Sequence, residues 1–174
     1  MSLVLNGNGT IQNLVAGGLP DGSVTADDIA SLPAGSVLQV VTYTNTTQIT
    51  TTSTSYAGCG LTAEITPSSS SNKILILCHT HASTSNALSS AIFTLFRGTV
   101  SGTDLGNAAA EGMGSVYGEG GQTRGMISFA YLDSPSTTSL QLYTLAFKSG
   151  NATHTQTAQK NNSKGSIVLM EIAA

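Results

Sequence analysis

The sequence predicts an all-β protein: an antiparallel, jelly-roll-like β-sandwich over residues 36–174, preceded by a short attachment segment over residues 1–35. Three observations predict it. Charged residues make up only 9% of the chain, and Ser and Thr take their place; Thr is β-branched and fits a pleated sheet. From Ser36 onward the chain falls into eight runs of about six to ten residues, each bounded by Gly, Pro, Ser or Asn clusters. No second helical pattern interrupts those runs, and 40% hydrophobic residues suffice for a core.

The first 35 residues differ from the rest. MSLVLNGNGTIQNLVAGGLPDGSV is punctuated by Asn-Gly, Gly-Gly and Pro-Asp-Gly, and its apolar runs are too short for a helix. TADDIASLP follows. Thr25 suits an N-cap, Asp27 and Asp28 fall in the first turn near the positive helix end, and Pro33 stops the helix. One short helix is expected near residues 25–32. A segment with so little core of its own is ordered mainly by binding something else.

The expected strands are SVLQVVTYT, TTQITTTS, LTAEIT, KILILCHTH, SAIFTLFRG, RGMISFAYLD, SLQLYTLAFKS and GSIVLMEI. PSSSSN (67–72) and DSPSTT (133–138) read as hairpin turns between neighbouring strands. Residues 98–125 hold nine of the 19 glycines and read as a long, flexible, exposed connection, with room for a short strand near Val116.

Alternation carries more than fold class. A strand with one wet face alternates apolar and polar. The later runs do not. Ile74, Ile76 and Cys78 oppose Leu75 and Leu77; Leu140, Leu142 and Ala146 oppose Tyr143, Leu145 and Phe147; Ile167 and Leu169 oppose Val168, Met170 and Ile172. A sandwich covers one face of each sheet, and strands apolar on both faces are normally covered on both. The second cover is therefore expected from another copy of the chain. Glu171, on the Ile167 and Leu169 face, is expected near the strand end, reaching water or a partner.

Charge and punctuation exclude some classes. A net charge of −3 argues against a general nucleic-acid binder. No Lys or Arg precedes Lys73, whereas Asp21, Asp27, Asp28 and Glu64 do. An acidic first part suits a basic partner surface; chance in a charge-poor chain is the other reading. The N-terminus has no basic start followed by a long apolar run, so no secretory leader is expected. No stretch approaches the ~18 apolar residues of a membrane span. Asn-x-Thr/Ser triplets at Asn8, Asn45, Asn151 and Asn161 then read as a by-product of Thr richness.

The opening MSLVLNGNGTIQNLVAGGLPDGSV resembles the start of tail-fibre and related virion proteins of tailed bacteriophages, marine and cyanobacterial phages included. The later pattern TPSSSSNKILI, LFRG, YLDSPSTTSLQLYTLAFKSG and GSIVLMEIAA resembles the distal β-domain of such proteins. The resemblance covers most of the chain. It implies a virion protein assembled in the host cytoplasm, a homotrimer whose N-terminal segment docks on other virion proteins and whose β-domain faces out. The chain departs by having no long repetitive shaft. A short tail fibre, a stubby adaptor and a capsid decoration protein all remain compatible; outside a virion, a carbohydrate-binding module does too.

Candidate chemistry is sparse. His79 and His81 share a strand face at i and i+2, but two ligands are too few for a metal; His154 or symmetry copies would have to complete the set. A buried strand emerging into solvent at a polar end is the favoured reading, and no metal is expected. Cys59 and Cys78 flank PSSSSN at distances that suit cross-strand neighbours about that turn. In a reducing cytosol two buried thiols are favoured over a disulfide. GMGSVYG (112–118) is neither a nucleotide-binding glycine fingerprint nor a Gly-x-Ser-x-Gly elbow. The few carboxylates name no acid pair, so neither an enzyme nor a cofactor is expected. Binding has more support. Tyr117, Glu119, Gln122 and Arg124 lie in or beside the Gly-rich stretch, and an aromatic with flanking polar groups suits a host-surface sugar. The competing reading is that Tyr117 packs under its own loop.

Overall fold

In the computed structural model the residues described are 4–5, 11–12, 32–85, 88–106 and 110–174. The chain separates into two compact units, Met1–Pro33 and Ala34–Ala174. In the first, β1 (Val4–Leu5) pairs antiparallel with β2 (Ile11–Gln12). The helix expected near 25–32 lies, but for Leu32, outside the described residues.

Among the described residues, the regular elements of the second unit are strands, apart from a 3-10 turn at Lys160–Asn162. Its strands are β3 (Val37–Asn45), β4 (Ile49–Thr51), β5 (Ala57–Ile65), β6 (Lys73–Thr84), β7 (Ser89–Arg97) and β8 (Thr103–Asp104), then β9 (Gly114–Gly118), β10 (Thr123–Asp133), β11 (Gln141–Ser149), β12 (Gln156–Ala158) and β13 (Gly165–Ile172). Val, Ile, Thr and Phe dominate the long ones, as a pleated, half-buried surface favours. No helix among the described residues is long and apolar enough to cross a membrane.

Two antiparallel sheets form a β-sandwich. In the first, β10 runs along one edge of β6 from Ile74 to Thr84. The other edge of β6 is shared: β13 takes Lys73–His79 and β12 takes Ala82–Thr84. β3 then flanks β13, and β4 flanks β12. In the second sheet β5, β11 and β7 lie side by side, and β9 and β8 divide the far edge of β7. Between the sheets sit Leu61 and Ile65 of β5, Ile74 and Ile76 of β6, Phe93 and Leu95 of β7, Tyr143, Leu145 and Phe147 of β11, and Ile167 and Leu169 of β13. Phe93 and Phe147 stack with centroids 5.4 Å apart.

The topology corrects the two expected hairpins. β5 pairs with β11 and β6 with β10, so residues 67–72 carry the chain from the second sheet to the first, and residues 133–138 carry it back. A two-residue turn joins paired neighbours; these longer Ser- and Pro-rich spans bridge the ~10 Å between layers instead. Cys59 and Cys78 are therefore not cross-strand neighbours. Both are buried and free, on inward positions of opposite sheets. Burial pushes each thiol up to about 12, so both stay protonated and inert.

Glu171 is the second correction. It is not at a wet strand end: it is 1% exposed. Its Oε1 accepts hydrogen bonds from the Ser68 backbone N–H (2.6 Å), the Ser68 hydroxyl (2.8 Å) and Asn72 Nδ2 (2.7 Å), and its Oε2 accepts one from Gln39 Nε2 (2.6 Å). Burial alone would raise its pKa, but the donors from Asn72, Gln39 and Ser68 outweigh it and hold the carboxyl at about 2. A buried carboxylate with this many donors is a fastening. It ties the last strand of one sheet to β3 and to the 67–72 crossover.

At another point the two sheets are joined by charge. Asp133 of β10 accepts from Tyr143 Oη of β11 at 2.7 Å and pairs with Arg97 Nη1 of β7 at 3.2 Å. Burial and the Asp133 carboxylate push the Tyr143 hydroxyl far up, so it remains a donor.

Candidate functional site

The sandwich has two outward faces, and the chain treats them differently. On the second sheet, the outward residues of β7, Ile92, Thr94 and Phe96, are as buried as the inward ones. The chain itself supplies the cover. The Tyr56 ring meets Phe96 edge-on at 5.6 Å, and Asp104 Oδ1 accepts from the Thr94 hydroxyl at 2.7 Å. Glycines permit the close approach: a Cβ on Gly106 would lie 2.3 Å from Thr94 Oγ1, and one on Gly112 (φ 61°) 2.3 Å from the Phe93 carbonyl oxygen. Residues 98–125 are thus not simply a flexible loop. They carry β8 and β9, and part of the stretch lies flat on the sheet. The second cover expected from another copy is, on this sheet, internal.

On the first sheet the outward Ser83 and Thr157 at one end are buried, but the outward side chains across the rest of β10, β6, β13 and β3 are only half-buried or exposed. Its outward residues line up in register across the strands. One row reads Leu132, Leu75, Met170, Val40; the next reads Ala130, Leu77, Val168, Thr42. Ile172 and Val37 extend the patch at one end. Ser128, His79, Ser166 and Thr44 follow at the other, then Met126 beside His81. Val40 is 54% exposed and Leu132 49%. The ionisable side chains at these outward positions are Lys73, His79, His81 and Arg124. No carboxylate is among them, because Asp133 and Glu171 point inward. Lys73 and Arg124 stand at opposite ends of β6 and β10, which leaves the centre uncharged.

His79 and His81 do share this outward face. His79 Nδ1 lies 3.0 Å from Ser166 Oγ, which orients the ring. His154 is elsewhere, its backbone carbonyl accepting from Ser149 Oγ. Among the described residues no three His, Cys, Asp or Glu side chains gather as a metal site.

The four candidate binding residues do not form one cluster. Arg124 Nη2 donates to Gln122 Oε1 at 3.1 Å, and both side chains are exposed. Glu119 is exposed in the turn between β9 and β10. Tyr117, 48% exposed, occupies an outward position of β9 in the second sheet, whereas Arg124 occupies an outward position of β10 in the first. Tyr117 therefore does not pack under its own loop. Its register partner is Ser90 of β7, and Ser90 lines a polar hollow that the sequence did not reveal. Thr54, Leu88, Ser89, Glu111 and Lys148 line it too. No sequence motif marks these residues, since they come from four separate stretches; only the fold gathers them.

Comparison of the sequence with protein-family models and with curated proteins finds no match.

Proposed function

We propose that the chain is a non-enzymatic structural protein of a tailed-bacteriophage virion: a short tail fibre that docks through residues 1–35 and presents a homotrimeric β-domain to the host surface. The observation that carries this reading is the in-register apolar face of the first sheet. Four strands about 4.8 Å apart and three largely apolar rows about 6.8 Å apart give roughly 390 Å², and the polar row beyond them extends the face toward the ~800 Å² per partner of a standard interface. An uncharged centre with polar ends is the anatomy of an interface. Exposed apolar patches of a few hundred Å² on a soluble protein mark association surfaces.

The strand order supports the finer fold assignment. One sheet reads β3, β13, β6, β10 and the other β5, β11, β7, β9. Apart from β7 and β9, which pair within one sheet, the successive strands of these eight alternate between sheets, the connectivity of a jelly roll. The resemblance of the opening segment and of the later strand pattern to phage fibre proteins supports the virion assignment. An assembly surface also suits a decoration protein, and particle density decides between tail and capsid.

Two measurements test the reading. Light scattering should give three times 17.6 kDa; a monomer at high concentration removes its physical basis. Deleting residues 1–35 should leave a folded trimer that no longer enters particles. A deletion variant that incorporates normally refutes the docking role.

A further inference from the structure

The polar hollow on the second sheet is separate from the assembly face and independent of the virion reading. It is an open hollow of about 330 Å³ beside the start of β7, room for one sugar ring. We propose that it is a saccharide-binding site, taking a single pyranose unit of a glycan chain.

The lining supplies what such a unit needs. Thr54 and Ser90 offer hydroxyls that both donate and accept, Lys148 an ammonium donor, and Glu111 a carboxylate acceptor. Among the described residues none of these four side chains is spent on a hydrogen bond or ion pair within the protein. Lys148 is positioned nevertheless: its Nζ stands 4.5 Å over the Tyr56 ring. Ser89 is braced from below by Gln156, whose Nε2 donates to the Ser89 and Ser149 hydroxyls at 2.7 and 2.9 Å. Gln156 is fully buried, and its Oε1 has no partner among the described residues.

The rim adds an apolar wall. Leu88 is 71% exposed and adopts φ 56°, the left-handed region that a leucine adopts only under constraint. Its backbone N–H is held by the Gly118 carbonyl. Strain of this kind, on an exposed apolar side chain at the mouth of a hollow, accords with a ligand-contacting role. Tyr117, the register partner of Ser90, is exposed on the same outward face. A pyranose has one C–H-rich face and a hydroxyl rim, and aromatic or aliphatic walls with mixed donors and acceptors match both. The mixed charge excludes neighbouring classes. A phosphate would meet one cation and the Glu111 carboxylate, and a lipid chain would strand the hydroxyls and ions.

The test is titration of the full chain with defined saccharides, followed by amide and methyl NMR shifts. The probes are a hexose, an N-acetylhexosamine, a hexuronic acid and short oligomers of each. At least one should shift Leu88, Ser90 and Lys148 with millimolar affinity, tightening in the oligomers. Lys148→Met and Leu88→Gly should each weaken binding at least five-fold. Leu88→Gly relieves the left-handed leucine, so it keeps the fold while losing the wall. A preference for the uronic acid or for the neutral sugars identifies whether Lys148 or Glu111 governs selection. No shifts at tens of millimolar with any probe, or equal binding in both variants, overturns the proposal; neither result bears on trimer mass or particle incorporation.

Discussion

The outward faces of the two sheets carry similar strands but opposite solutions to the same problem. Both present apolar side chains away from the shared core. On the second sheet Tyr56, Asp104, Gly106 and Gly112 lie against β7, whose outward Ile92, Thr94 and Phe96 are buried. On the first, Leu75, Leu77, Val168 and Met170 are only half-buried and Val40 and Leu132 stand exposed. The difference teaches that apolarity on both faces of a strand demands a cover without saying whose. The glycines decide it: Gly106 and Gly112 let the backbone press onto β7, and nothing comparable is spent on the first sheet.

Breaking each face separately sharpens this contrast. Leu75→Glu with Met170→Glu puts two charges at the centre of the bare face. It should abolish self-association, a threefold fall in light-scattering mass, while the thermal midpoint of the isolated sandwich moves by no more than a few degrees. A trimer that survives both charges places the interface elsewhere.

Gly112→Val attacks the covered face. The new side chain meets the Phe93 carbonyl at a positive φ, and about 3–4 kcal/mol of stability should be lost in urea titrations. Assembly mass at low temperature should be unchanged, because the damage is on the other sheet. A loss below about 1 kcal/mol would mean that the cover is dispensable.

Glu171→Gln tests the fastening that holds the bare sheet's C-terminal strand. The carboxyl sits at about 2 when folded, below its ordinary value of 4.5. Its contribution is therefore full above about pH 4.5, declines as the pH falls toward 2, and is gone below it. The difference corresponds to about 3 kcal/mol. The variant should be weakened by about that amount at pH 7 and should lose most of the acid sensitivity between pH 4.5 and 2. Parallel pH profiles for the two proteins would show that Glu171 is not the group responsible.

Tyr56→Phe is the mildest change. The Tyr56 hydroxyl is buried without a partner among the described residues, and burial with the nearby Asp104 and Glu111 carboxylates raises it to about 12. Removing it should be neutral or stabilise by up to about 1 kcal/mol, while the ring keeps Phe96 and Lys148 in place. A clear loss would reveal a partner for that oxygen.

The main strands were legible because Val, Ile, Thr and Phe runs between turn residues leave little choice of local structure. Their partners were not. PSSSSN reads equally as a hairpin or as a crossover, and only the pairing of β5 with β11 separates them. β12 escaped notice because Gln156, Thr157 and Ala158 are short and mostly polar, although all three are buried. Glu171 was visible as an oddity; its donors, Gln39, Ser68 and Asn72, lie at least 99 residues away in sequence. Of the candidate binding residues, Tyr117 stands beside the hollow, on the strength of one aromatic in a glycine-rich stretch. Lys148 and Glu111 carried no local signal, since each looks like an ordinary surface charge until the fold sets them around one opening.

The backbone N–H of Gly35 donates to the carbonyl of Ala173, and the N–H of Ala173 donates to the carbonyl of Ser36. The sandwich is thus a nearly closed circuit whose start and finish touch. A short peptide could splice the two, and a fresh cut at the exposed Asn161 and Asn162 turn would then give a permuted chain with the same architecture. A fluorescent reporter appended at Ala174 would crowd Gly35 and Ser36, so labels belong at that turn.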